Sequence, residues 1–437
     1  MQFMWFTERA YHDIPEDDVI RNRSFFGMPN THFDPKKGSA LLNQYIDEKI
    51  YSEELGAFDC VMLNEHHGTP FCLGAVMDVE AAILARVTKK VKIVLLGNPI
   101  PTVANPLRLA EELAMIDLFS EGRLVAGWVR GAGSEQLANN ANPAYNREYF
   151  EEGHDLIIKA WTEPGPWRYE GKHFHFRFGN PWVKPYQQPH PPIWIPGLVS
   201  PDTAIWCAKK RYPYIALATF LEPTTELWNI YSKAAAREGY QAGSENFGYM
   251  QPIFVSQNQQ HAEEMGKRFL FGGGFAHFAR PEWMFPPGYN SKEATRRLGR
   301  QFANPNLPGK SIMPGGDADV VDVEAVKSSI GAQFEEARRN LQMITGTPDH
   351  VIPRLKKVMD VLRPGIFSFW LDGPVPAKDR RECLRLLATE VIPALRAYGT
   401  EIGLVDPFQQ KPGMRPLPSS GIPDPVAWPE MLQAAVA

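Results

Sequence analysis

The stretch VKIVLLGNPIPTVANPLRLAEELAMIDLFSEGRLVAGWV, residues 91–129, decides the fold class. It opens on an apolar run, Val91 to Leu96, that lacks the alternation of a half-buried strand, so both faces of this strand need cover. Asn105 then stands where a helix is capped, with Pro106 at the first helical position. Leu107, Ala110, Ala114 and Leu118 recur on one helical face, while Arg108, Glu111 and Glu112 take the other. Leu124 to Val129 is a second apolar run. A strand, a helix and another strand covered on both faces make the unit of a parallel sheet.

The same rhythm runs outward in both directions. Gln2 to Phe6, Cys60 to Leu63, Ile193 to Ile195, Tyr214 to Ala218, Met250 to Val255 and Ile366 to Trp370 read as strands. Helical spacing marks about Ala40 to Leu55, Ala75 to Val87, Asn146 to Trp161 and a short helix after Ser200. Eight strands, each followed by a helix, predict an α/β fold: a (β/α)8 TIM barrel with loop insertions, in one domain over 1–403. A doubly wound open sheet has the same periodicity, although no GxGxxG follows the first strand.

Four stretches break the alternation. Tyr11 to Gly38 reads as a long polar loop. Phe174, Phe176, Phe178 and Trp182, spaced around Pro and Gly, suggest a small added hairpin within Trp167 to Gln188. Gly272 to Asp319 is longer than a compact domain tolerates without a function, which points to a lid over 272–319 or a disordered excursion. The Pro-rich tail, 404–437, reads as an extended arm across a neighbouring surface or subunit. The chain has 35 glycines and 39 prolines, and much of this excess lies in these excursions, with a few glycines at strand ends.

Composition removes several classes of function. Of 437 residues, 44% are hydrophobic, and 46 basic against 50 acidic side chains leave a net charge of -4 without blocks of one sign. That balance argues against nucleic acid as a partner. No apolar run approaches the roughly 18 residues of a membrane span, and the start of the chain lacks the basic and apolar regions of a signal peptide. Cys60, Cys72, Cys207 and Cys383 are scattered, so a reducing cytoplasm is the expected location.

Active sites of this architecture form at the C-terminal ends of strands. Asn64-Glu65-His66-His67 follows the second strand. A His pair there serves as a hydrogen-bonded loop anchor or as a general acid or base, and a metal site is disfavoured because adjacent rings diverge on an extended chain. Leu96-Gly97-Asn98-Pro99 closes the third strand, where glycine permits either a plain turn or close approach of a flat ligand. Arg130 among glycines at the fourth strand end suits a phosphate, since its guanidinium binds two oxygens at once. Ser200-Pro201-Asp202-Thr203 opens a helix and is either an N-cap or an anion site. Phe6, Phe71, Trp128, Trp194 and Trp370 are candidate apolar walls near strand ends.

On these residues the sequence resembles the bacterial luciferase-like family of flavin-dependent monooxygenases. The matching block runs through Leu63-Asn64-Glu65-His66-His67, Ala85-Arg86-Val87-Thr88, Val91 to Gly97, Asn105 to Glu112, Asp117 and Ser120-Glu121-Gly122-Arg123 to Arg130-Gly131. A weaker continuation reaches about Tyr398 and leaves out 272–319 and the tail. The resemblance implies His66 as the catalytic histidine near the reactive carbon of the flavin, with His67 supporting the pocket. It implies a non-prolyl cis peptide at Leu96-Gly97 against the flavin ring, beside Asn98. Arg130 would hold the FMN phosphate with Ser200 and Thr203, next to Val199. Val129 and Gly133 stand where luciferase has a cysteine and a tyrosine, which argues against light emission.

The implied function is a two-component monooxygenase. It would take reduced FMN from a separate reductase and use O2, through a flavin C4a-peroxide, to oxygenate a small organic substrate, cyclic or aromatic. The resemblance implies a homodimer or homotetramer. Two rivals stay open: an F420-dependent hydride-transfer enzyme of the same fold, and a non-catalytic flavin-binding protein.

Overall fold

The computed structural model describes residues 1–22, 25–198, 200–217, 220–272, 286, 288–290 and 323–409. Its strands in chain order are β1 (Gln2–Phe6), β2 (Cys60–Leu63), β3 (Lys92–Leu95), β4 (Asn98–Pro99), β5 (Leu124–Val125), β6 (Trp128–Val129), β7 (Trp167–Glu170), β8 (His175–Gly179), β9 (Ile195–Gly197), β10 (Tyr214–Leu217), β11 (Phe247–Val255), β12 (Ile344–Gly346) and β13 (Ile366–Trp370). The helices that matter below are α1 (Glu16–Asn22), α2 (Pro35–Glu54), α3 (Met77–Val87), α4 (Pro106–Ser120), α5 (Gly133–Ala138), α6 (Asn146–Thr162), α7 (Pro201–Lys210) and α8 (Leu221–Arg237).

Eight parallel strands follow one another in the order β5, β3, β2, β1, β13, β11, β10, β9. The two ends of that path meet: Ala126, just after β5, forms a parallel bridge with Ile193, just before β9. The Ala126 N–H donates to the Pro192 carbonyl at 2.9 Å, and the Trp194 N–H donates to the Ala126 carbonyl at 3.0 Å. This closure makes the sheet a (β/α)8 barrel. Its strands are buried on both faces, including every residue of β1, β2, β13 and the nine-residue β11, as helices outside and packed side chains inside require.

The expected strands lie within a few residues of those observed, with informative differences. The run Leu124 to Val129 divides into β5 and β6 around Gly127, where a Cβ would stand 2.4 Å from the carbonyl oxygens of Leu95 and Trp194. β6 leaves the barrel path and pairs with β4. The strand read at Ile193 to Ile195 forms two residues later, as β9. β12 escaped the sequence reading; it pairs with the C-terminal half of β11 and is too short to show a period.

Tyr11 to Gly38 is not simply a polar loop. It contains α1 and the first residues of α2, and it buries Phe25, Phe26 and Met28. α2 starts earlier than its apolar spacing suggests because Asp34 caps it, accepting from Lys36 N at 2.8 Å, with Pro35 at the first position. The hairpin of β7 and β8 is antiparallel, as read. Most of 272–319 lies outside the described residues, as does the tail beyond 409. The described start of the tail sits at the N-terminal end of the barrel: Phe408 packs on Trp194, ring centroids 5.6 Å apart, and Asp406 pairs with the N-terminal amine at 3.3 Å. No helix among the described residues is long and apolar enough to cross a membrane.

Candidate active site

A cavity of about 270 Å³ opens at the C-terminal ends of the strands, where the loops after β1, β2, β3, β6 and β9 converge. One end is aromatic and apolar, with Phe6, Phe26, Met62, Phe71, Met250 and Trp370 in its wall. The other end holds Arg130, Ser200 and Thr203. Leu96 and Gly97 form the wall between these ends and are joined by a cis peptide. A Cβ on Gly97 would lie 2.8 Å from the backbone of Trp128, so only glycine fits there.

His66 enters the apolar end between two carboxyl groups. Its Nδ1 meets Glu135 Oε1, and its Nε2 lies 3.5 Å from Glu8 Oε2. Phe26 and Phe71 flank the ring at centroid distances of 6.1 and 5.9 Å. Burial disfavours the charged imidazole, but Glu135 and then Glu8 outweigh it, and the His66 pKa is raised to about 9. At neutral pH both ring nitrogens therefore carry protons. Glu8 is buried, and burial is the main reason its pKa is raised to about 7; Asp372 adds to the rise, while His66, Asn64 and Arg9 oppose it.

The phosphate-like end is built on two helix starts. Ser200 caps α7, a ten-residue helix, with its Oγ accepting from Thr203 N at 3.4 Å and its carbonyl from Ala204 N at 3.2 Å. Asp202 is exposed and does not line the cavity, although its charge acts on Arg147. Arg130 Nη1 donates to Asn146 Oδ1 and to the Tyr289 carbonyl, each at 3.2 Å. The rest of its guanidinium fork makes no other hydrogen bond among the described residues. Arg147 Nη2 donates to Thr203 Oγ1 at 3.2 Å. Burial and the charge of Arg130 lower the pKa of Arg147, the mark of two cations held close. Arg147 does not line the cavity and its Nη1 pairs with Glu151 Oε1 at 3.4 Å, so it stands behind Thr203, while the guanidinium of Arg130, two hydroxyls and a helix N-terminus are donors that suit a phosphate.

The sequence-derived residues thus divide. His66, Leu96, Gly97, Arg130, Ser200 and Thr203 share the cavity. His67 does not line it; its Nε2 meets Glu65 Oε1 at 3.0 Å. Asn98 is buried in β4 with its N–H on the Gly127 carbonyl, away from the cavity. Val199 lies outside the described residues. Trp194 is no part of the wall, because it precedes β9 and so sits at the N-terminal end of the barrel, against Phe408. Phe6, Phe71, Trp128 and Trp370 do line the cavity.

Glu8, Glu135, Arg147 and Tyr289 were missed. Glu8 had a signal: it stands two residues past the end of β1, the same strand-end position that drew attention to His66. Glu135 follows Arg130 by five residues, but only the turn at Gly131, with φ +74°, brings it back over His66. Arg147 and Tyr289 sit far from any strand end, and nothing in their neighbourhood marks them. No group of three or more metal-ligating side chains forms among the described residues.

The profile of the luciferase-like monooxygenase family matches residues 51–362. An uncharacterized protein, y4wF, of Sinorhizobium fredii is 28% identical over 253 residues, 56% of this chain and 71% of its own length. The oxygenase component of the flavin-dependent trigonelline monooxygenase of Acinetobacter baylyi is 28% identical over 164 residues, covering 35% of this chain and 45% of that protein. The matched stretch therefore spans between 45% and 71% of the length of these curated relatives. Among solved structures, the oxygenating constituent of the 3,6-diketocamphane monooxygenase of Pseudomonas putida, in complex with FMN, superposes with a TM-score of 0.62 at 18% identity, over 81% of this chain and 93% of that one. The F420-dependent tetrahydromethanopterin reductase of Methanopyrus kandleri superposes with a TM-score of 0.57 at 15% identity, over 90% and 98%. At these identities the structures establish a shared fold.

Proposed function

The chain belongs to the luciferase-like monooxygenase family, and from that premise we propose that it is the oxygenase of a two-component system that uses reduced FMN and O2 on a small organic substrate. The observation that carries this reading is a phosphate-type donor set and an imidazole held between two carboxyl groups in the wall of one cavity. Arg130, Ser200 and Thr203 would hold the FMN phosphate, with Arg147 behind Thr203, and Leu96-Gly97 would lie along its ring. When bound, reduced FMN supplies the electron pair for the activation of O2. His66 Nε2 faces the cavity and is the group that holds and moves a proton there. Phe6, Phe26, Phe71 and Trp370 exclude water and shape the place for an apolar or aromatic substrate. A separate reductase is the expected source of the reduced flavin, by analogy with relatives described as oxygenase components.

A second reading follows from the F420-dependent proteins that share the fold. The two cofactors are separated by anaerobic titration of reduced FMN and of F420, followed by turnover with a flavin reductase and a panel of cyclic and aromatic compounds. FMN is expected to bind more tightly. Replacing His66 with Ala is expected to leave FMN affinity within a few-fold and to lower product formation by about 10²- to 10⁴-fold, the usual contribution of a general acid or base. Tight F420 binding with weak FMN binding contradicts the cofactor assignment, and unchanged turnover in His66→Ala contradicts the role of His66.

An oligomer is also part of the proposal. Val76 (58% exposed), Val79 (61%), Ile83 and Val87 form one stripe on and just before α3, and Met115 and Phe119 are exposed on α4, which packs beside it. An apolar face of this kind on two adjacent helices suits a second copy of the chain. The lid over 272–319 stays a proposal as well, supported by Tyr289 and Asn290, which line the cavity.

A further inference from the structure

We propose that Glu8 is the proton store of His66: the carboxyl that faces Nε2 of the imidazole returns a proton to that nitrogen each time it gives one up. The inference rests on the reading of His66 as the proton-moving group and adds to it a residue at the end of β1.

The argument is geometric. The two ring nitrogens of His66 face two different carboxyl groups, Glu135 at Nδ1 and Glu8 at 3.5 Å from Nε2. Glu135 fixes the ring; its other oxygen accepts from Ala132 N at 2.7 Å, so the carboxyl is tied to the start of α5. Both carboxyl groups line the cavity and are buried, and Glu8 differs in what holds it: Asn64 Nδ2 donates to its Oε2, the oxygen that faces Nε2 of the ring. A separation of 3.5 Å is longer than a formed hydrogen bond and short enough to become one when the cavity fills.

The electrostatics around Glu8 favour a carboxyl that keeps its proton near neutrality. From the loop after β13, Asp372 faces it and is itself held by Thr7 Oγ1 at 2.9 Å, Trp370 Nε1 at 2.6 Å and the Glu8 N–H. Asp372 thus presents negative charge to Glu8. Opposing it are His66 and Arg9; the Arg9 guanidinium is occupied elsewhere, by Glu80 at 3.0 Å and the Asn64 carbonyl at 2.5 Å. His66 is faced in turn by Glu135, Glu8, Arg9 and, more distantly, His67. The transfer balances simply. Glu8 O–H gives its proton to Nε2 of the neutral imidazole, leaving a carboxylate and an imidazolium, and water restores the proton to Glu8 between turnovers. Glu8 acts through His66 and is a positioning residue in that sense.

The test needs no substrate or flavin. In protein labelled with ¹³C and ¹⁵N at histidine, the His66 ring signal, assigned by its loss in His66→Gln, is followed through a pH titration. The wild-type signal is expected to move twice, first near pH 7 as Glu8 ionises and again near pH 9 as the ring itself loses its proton. Glu8→Gln should abolish the first movement and shift the second to lower pH. Glu8→Asp, which keeps the carboxyl but withdraws it by one methylene, should retain two movements with a displaced first midpoint. A Glu8→Gln curve that superimposes on wild type overturns the proposal; if that variant does not fold, an undisplaced Glu8→Asp curve overturns it equally. FMN binding measured on the same samples keeps the two ideas apart. Failure to bind FMN with both movements present would remove the proposed cofactor and leave the Glu8–His66 couple standing.

Discussion

At the scale of single residues, the site is a contest between burial and charge. Glu8 shows this most clearly, and its effect on stability has a definite sign. Its folded pKa, about 7, lies above the ordinary value of 4.5, so the folded protein binds more protons than the unfolded chain between those values. The associated stability is fully present below about pH 4.5 and is lost as the pH rises through 7. Glu8→Gln removes that loss. Its melting temperature relative to wild type is therefore expected to rise from pH 5 to pH 8, by the equivalent of about 1–3 kcal/mol given 1.36 kcal/mol per pKa unit. A constant difference across that range would contradict the buried, proton-holding state of Glu8. His66 has the matching trend at higher pH, since its raised pKa gives stability that persists at neutrality and disappears through about 9. Glu8 itself was legible by the strand-end rule. Glu135 was not, because its place over His66 depends on the path of the chain after Gly131 rather than on any local pattern.

At the scale of elements, much of the family motif turns out to hold the barrel together. Arg123 ties four residues of three segments: Nε donates to the Ser120 carbonyl at 3.0 Å, Nη1 to Thr88 Oγ1 at 2.8 Å and the Val91 carbonyl at 2.9 Å, and Nη2 to the Ala85 carbonyl at 2.8 Å and that of Thr88 at 3.1 Å. It thereby joins the ends of α3 and α4 to the start of β3. Glu121 and Gly122, both at positive φ, turn the chain so that the guanidinium faces those carbonyls. The Arg123→Ala variant would leave several acceptors unpaired and is expected to lose about 2–4 kcal/mol, seen in a urea titration, while FMN affinity changes little in the protein that remains folded. A large loss of FMN affinity without loss of stability would place Arg123 in the site instead. Elements were legible where a cap and a period coincided, as at Asn105 and Pro106. They were illegible where three residues carried no period, as in β12, or where a backbone kink divided one apolar run into β5 and β6.

At the scale of the whole molecule, the barrel puts everything reactive at one mouth and leaves an apolar helical face at its side. If α3 and α4 pair with a second copy, Val79→Asp combined with Ile83→Asp places two charges in the interface and is expected to yield monomers by light scattering, whereas wild type yields dimers or tetramers. A variant of unchanged mass would rule out that face as the contact. The barrel itself was readable from eight apolar runs, since an apolar strand with two covered faces has few other homes. The cavity was only half readable. Its phosphate-type end shows as Arg130 and Ser200, but Arg147 comes from within a helix and Tyr289 from a long connection, and neither position follows from local sequence.

The account rests above all on the claim that the Arg130 end of the cavity takes the phosphate of a flavin. The direct test is to measure, under anaerobic conditions, the affinity of the protein for reduced FMN and for reduced riboflavin, which differ only by that phosphate, in wild type and in Arg130→Ala. Charge-assisted hydrogen bonds worth about 1.5–3 kcal/mol each should make FMN bind at least about tenfold more tightly than riboflavin to wild type, and Arg130→Ala should remove most of that preference. Equal affinity of the wild-type protein for the two flavins, or a preference that survives in Arg130→Ala, would contradict it.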